Sequence, residues 1–148
     1  MHRPQKRMIP HSGNAAVQQY REIDTRSNIE SATPHRLIQL MMERALTKIA
    51  VARAHMQRGE IDEKGVHIGD AIDIINGLQA SLNHKADARM SRNFDALYTY
   101  MMRRLLEANL KDDDGILDEV SGLLQELKEA WDAIADQVKD AETSALSV

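Results

Sequence analysis

Six histidines, at positions 2, 11, 35, 55, 67 and 84, and 23 Asp and Glu are the side chains best suited to hold a metal or move a proton. Zinc gripped from one helix face needs two histidines four residues apart, and no such pair occurs. A di-metal bundle needs inward Glu-x-x-His pairs, which are also missing. The run Asp112-Asp113-Asp114-Gly115 suggests a calcium loop. With Gly115 in the sixth place, the first and twelfth fall on Leu110 and Ser121, where carboxylates are required. Capping of a helix accounts for the run better. Asp70 and Asp73, one helical turn apart, imitate a catalytic pair, but a solvated helix face explains them more simply. There is no cysteine, no glycine-rich phosphate cradle and no nucleophile elbow. The expectation is a protein with no metal, no cofactor and no enzymatic activity.

The same aspartates make sense as parts of helices. The three prolines stand at 4, 10 and 34, so the rest of the 148 residues runs without one. Leu, Ala, Met, Arg, Asp and Glu are abundant and aromatics are 3%, a composition that favours helix over sheet. Thr33-Pro34 is a helix start: Thr caps the first amides and Pro loses nothing at the first helical position. Ile38, Met42, Ala45, Ile49, Ala52 and Met56 follow in alternating four- and three-residue steps up to Gly59. A second helix is predicted over about 62–83, with Ile68, Ala71, Ile72, Ile75, Leu78 and Leu82 on one face. His84 to Ser91 reads as a connection. A third helix over 92–111 gathers Phe94, Tyr98, Met101, Met102 and Leu105. A fourth, after the aspartate turn, carries Leu117, Val120, Leu124, Leu127, Trp131, Ile134 and Val138. The fold class is therefore all-α: an antiparallel up-and-down four-helix bundle with a short N-terminal capping segment.

Residues 1–16 read as a flexible tail, 17–140 as the domain and 141–148 as a frayed end. Val17, Tyr20 and Ile23 give the start of the domain one apolar edge. Net charge is −4, yet every acidic residue lies at or after Glu22. Beyond the first 21 residues, 15 Lys and Arg face 23 Asp and Glu, too acidic for a nucleic-acid groove. No apolar run reaches the roughly 18 residues a membrane span needs. Basic residues near the start lack the apolar stretch of a secretory signal. A cytoplasmic protein with no membrane insertion is expected, either a monomer or a weak homodimer.

Some apolar residues of the first helix fall outside its seam. At roughly 100° per residue, Leu40 lies about 160° and Val51 about 140° from Ile38, with Leu37 about 100° away. Tyr100 is similarly displaced on the third helix, beside Arg103 and Arg104. Either these are ordinary exposed residues, or they form a second apolar face that receives a helical segment. The pairs Met41-Met42 and Met101-Met102 suit an adaptable surface and core filling equally.

Two blocks of this chain, SATPHRLIQLM at 31–41 and LYTYMMRRLLEANLKDDDGILDEVSGLLQELKEAW at 97–131, resemble the flagellin export chaperone family FliS. Thr33-Pro34, Tyr98, Tyr100-Met101, Arg103-Arg104-Leu105, Ala108-Asn109, Gly115, Glu119-Val120 and Ala130-Trp131 carry the likeness. It implies a bundle that binds the disordered C-terminal segment of flagellin in apolar grooves, prevents premature polymerisation and presents the client for type III export. The export apparatus and an anti-sigma factor are further partners it implies, the latter in an alternative role as a regulatory adaptor. Carried over, the groove residues are Leu37, Leu40, Met41, Val51, Tyr100 and Arg104. Val17, Tyr20 and Ile23 match a segment that covers the groove in the free protein.

Overall fold

The computed structural model describes residues 33–83 and 88–146, with side chains through residue 134. Within them run α1 (Pro34–Gln57), α2 (Ile61–Ala80), α3 (Ala88–Lys111) and α4 (Asp114–Leu146). Each packs against two neighbours in the order α1, α2, α3, α4 and back to α1, and no strand occurs among the described residues. The expected four-helix bundle is the fold. Val17, Tyr20 and Ile23 lie outside the described residues.

Local chemistry sets the boundaries. Thr33 accepts a hydrogen bond from the Arg36 amide at 3.1 Å, and Pro34 opens α1. Gly59 takes φ +72° just after α1, and the Glu60 amide reaches back to the His55 carbonyl at 2.9 Å. That left-handed stop suits glycine. Asp112 does the same job after α3 at φ 51°, with the Asp113 amide donating to the Ala108 carbonyl at 3.1 Å. Aspartate tolerates this conformation better than most side chains. The Asp113 carboxylate then caps α4, accepting from the Gly115 amide at 2.9 Å and the Ile116 amide at 3.3 Å.

Two expected boundaries move. Residues 88–91, read as connection, already belong to α3, with Ser91 buried and its Oγ donating to the Asn83 carbonyl at 3.1 Å. At the other end, α4 continues through Leu146, beyond the 140 limit drawn from the apolar period. Helix continues there without an apolar stripe to announce it.

The core contains Met41, Met42, Ala45, Ile49, Ile68, Ile75, Leu78, Tyr98, Met101, Leu105, Leu117 and Leu124, all nearly or fully buried. Phe94 meets Tyr98 edge-on with centroids 6.0 Å apart. Burial pushes the Tyr98 phenol well above its usual range. Trp131, expected deep in the seam, is half-buried at the core edge, stacked on His35 at 4.5 Å and donating to the His35 carbonyl at 3.0 Å.

Charge alternates around the ring. α1 has four Lys/Arg and one Glu, while α2 has one Lys and four Asp/Glu. α3 has five Lys/Arg against two acids, and α4 two Lys against nine acids. Every neighbouring pair is thus of opposite net sign. Single surface ion pairs contribute little, but the alternation favours this arrangement of helices over one with like-charged neighbours.

Candidate functional site

The six residues expected to line a groove do not share one surface. Leu37 and Met41 are both fully buried, and Met41 belongs to the core cluster of the bundle. Their positions follow from a wider stripe than the narrow seam: Leu37, Met41, Ala45 and Ala52 are buried together with Met42 and Ile49. A helix wedged between two neighbours must bury flanks on both sides of its central line.

Leu40 and Val51 are partly buried, as is Ile38 on the seam itself. Val51 lies between two positions that touch α2. Lys48 pairs with Asp70 at 3.0 Å, and the His55 ring stacks on His67 at 5.2 Å. Leu40 and Val51 therefore line the outer rim of the α1–α2 side. Both are apolar and leave that rim without a side-chain hydrogen bond of its own at those positions.

Tyr100 and Arg104 sit across the bundle, on the α3–α4 side. The Tyr100 hydroxyl donates to Glu119 Oε2 at 2.5 Å, and Arg104 Nε donates to Glu119 Oε1 at 2.9 Å. Arg104 Nη1 also reaches Glu107 Oε1 at 2.9 Å, and Lys111 Nζ reaches Glu107 Oε2 at 2.9 Å. The Tyr100 hydrogen bond, with Arg104 beside it, holds Glu119 below the usual carboxylate range. The same bond raises the Tyr100 phenol. These two residues lace α3 to α4.

Two further polar clusters escaped the sequence reading. Arg53 grips Asp114 through two hydrogen bonds, at 2.6 and 3.0 Å, and reaches Asp118 at 3.1 Å. Its guanidinium lowers the Asp114 carboxyl. Lys64 is buried, and its ammonium donates to the Asn109 carbonyl at 3.0 Å and to Asp112. A signal for Lys64 existed: it stands four residues before Ile68 on the buried stripe of α2. A long stem can bury its methylenes there only if the charged end finds a partner.

Among the described residues no group of three His, Cys, Asp or Glu could hold a metal, and no helix is long and apolar enough to cross a membrane. The surface carries an apolar rim on α1, with polar clasps closing α1–α4 and α3–α4.

Residues 16–138 match the family described as flagellar protein FliS. The chain is 46% identical over 120 residues to the flagellar secretion chaperone FliSB of Pseudomonas aeruginosa, covering 81% of this chain and 95% of that protein. It is 35% identical over 130 residues to flagellar secretion chaperone FliS of Salmonella typhimurium, covering 87% and 96%. The Vibrio cholerae protein of the same name is 34% identical over 119 residues, covering 80% and 88%.

Proposed function

Because this chain belongs to the FliS family of flagellar secretion chaperones, we propose that it binds the C-terminal segment of flagellin. Binding keeps the client from polymerising in the cytoplasm and delivers it to the flagellar type III export apparatus. The observation that carries this reading is the partly exposed apolar pair Leu40 and Val51 on the outer rim of α1. A disordered client segment that folds into an amphipathic helix gains its affinity by burying such apolar positions. It loses part of that gain to its own ordering, so a long contact is needed. Val17, Tyr20 and Ile23 serve as an internal stand-in that covers the rim until the client displaces it. Tyr100 and Arg104 hold the shape of the bundle.

Titration calorimetry with the C-terminal segment of the flagellin from the same organism tests the proposal. Saturable binding with a negative heat-capacity change is expected, as apolar burial requires. Leu40→Asp and Val51→Asp should each weaken binding at least about tenfold while helix content is unchanged. Tyr20→Ala should tighten binding by removing the cover. No heat at several temperatures, together with failure to co-elute, would remove flagellin as the client. Binding of an anti-sigma factor in its place would then make the protein a regulatory adaptor.

A further inference from the structure

Where α1 gives way to α2 and α3 to α4, the bundle ends in a surface that is both apolar and acidic. Ile61 there is 62% exposed and Leu110 84%. A cavity of about 190 Å³ opens beside them, lined by Met56, Gly59, Glu60, Ile61, Lys64 and Asp112. That is room for a side chain rather than for one water, whose share of the liquid is about 30 Å³. Around the cavity, residues 58–64 and 111–118 carry seven Asp and Glu against three Lys and Arg. Asp62 and Glu63 are exposed and make no ion pair among the described residues. The other end of the bundle differs in sign. Its residues 34–40, 77–83, 88–94 and 128–134 carry four Lys and Arg against two acids.

One segment of the chain fits the acidic end in both respects. Residues 1–15 lie outside the described residues and before the part matched to the family. They hold Arg3, Lys6 and Arg7 and no acid, with Met8 and Ile9 directly after the last of these cations. Pro4 and Pro10 bracket the segment and bias the residues before them toward extended backbone, so less freedom is lost on docking. Reach decides whether it can arrive, because α1 starts at the opposite end. The 24 residues of α1 make a rod of roughly 36 Å. Twenty-four peptide links join Ile9 to Thr33, and extended they span up to roughly 80 Å. The tether has length to spare. It also gives an effective concentration on the order of millimolar, so a contact too weak to hold between separate molecules is populated within one.

We propose that residues 3–9 dock on the acidic end of their own bundle. Met8 and Ile9 cover Ile61 and the mouth of the cavity, while Arg3, Lys6 and Arg7 lie over Asp62, Glu63 and Asp112. Lys64 stays beneath, held by the Asn109 carbonyl at 3.0 Å and by Asp112. The like-charged near end repels the same segment, which directs it to the far one. The chain between, with Val17, Tyr20 and Ile23, is then drawn along the side of the bundle. This contact needs no client and stands whether or not flagellin binds.

The chain has no cysteine, so Ser12→Cys gives the full-length protein one site for a nitroxide label. Amide signals then report which residues the leader approaches. At low salt Gly59, Ile61 and Asp112 should broaden more than Arg36 and Arg92 at the other end. High salt should reverse the difference, because exposed charges are screened. Replacing Arg3, Lys6 and Arg7 together by Glu leaves the bundle untouched and should cut the docked population at least about threefold. Asp62→Lys with Glu63→Lys should do the same from the other side, and Ile9→Asp should lower the population too. Broadening spread evenly over both ends, or unaffected by these changes, would overturn the proposal. So would equal broadening of unlabelled, isotope-enriched chains when labelled ones are mixed in, since the contact would then lie between copies.

Discussion

The two edges of α3 were built from adjoining residues and came out opposite. One edge carries Tyr100, Arg104 and Glu107, and its polar atoms are joined to Glu119 of α4 or to Lys111. The other carries Leu106 and Leu110, which face solvent at 53% and 84%. A shift of two residues, from Arg104 to Leu106, separates a clasped seam from a bare one. Clasped seams hold a bundle in one arrangement, whereas bare apolar ones are where another chain can dock. The outer rim of α1 repeats the lesson, with Leu40 partly exposed next to the fully buried Met41.

The sharpest way to break that contrast is to place the same charge on both kinds of position. Met41→Asp buries an unpaired carboxylate in the core and should cost about 4 kcal/mol or more, enough to unfold much of the population. Leu40→Asp, one residue away, should change stability by no more than about 1 kcal/mol. Denaturant unfolding followed by circular dichroism separates them. Equal losses would mean that the α1 rim is core after all.

Next in size is the buried lysine that ties α2 to the turn after α3. Asp112→Asn keeps a side chain that tolerates the left-handed backbone but removes the charge facing Lys64, at an expected cost of about 1–2 kcal/mol. Lys64→Met replaces the ammonium with an apolar chain of similar length and should stay within about 1 kcal/mol of the parent. If Lys64→Met proves the more damaging of the two, the carbonyl of Asn109 is the partner that matters. Smaller and opposite in sign is Gly69→Ala. Its added carbon meets nothing, so the variant should gain about 1 kcal/mol from helix propensity. A loss would place a neighbour against Gly69.

The fold was legible because periodicity and punctuation agreed. Thr33-Pro34, Gly59 and the aspartates at 112–114 all sit at helix ends, and the predicted seams are largely the core. The surface was less legible. An angle measured from Ile38 set Leu40 and Val51 apart from it, yet all three are partly buried, and the same reckoning put Leu37 on the wet side, where it is fully buried. One helix's period gives direction but not how far its neighbours wrap around it. Tyr100 was read as displaced because its ring points off the seam. Its partner, Glu119, lies on another helix, and no spacing within α3 could reveal it. Leu106 and Leu110 look like core positions by type alone. Only the exposure of both marks them as unusual.

The smallest expected effect follows from acidity and tests the clasped edge itself. Glu119 and Asp114 both have carboxyls held below their ordinary values, the first by Tyr100 and Arg104 and the second by Arg53. A depressed carboxyl stabilises the folded state fully above its unfolded pKa, about 4 for such groups, and loses that contribution as pH falls through the lower folded value. Both partners, Arg104 and Arg53, stay charged throughout, so the loss comes from the acids alone. Stability against urea should therefore be flat from neutral pH to about 5 where these two groups are concerned, then decline below about 4. Glu119→Gln should remove part of that decline and lower stability at neutral pH. An acid limb identical to that of the parent would mean that solvent screens the α3–α4 clasp completely, and the contrast between the two edges of α3 would then rest on the leucines alone.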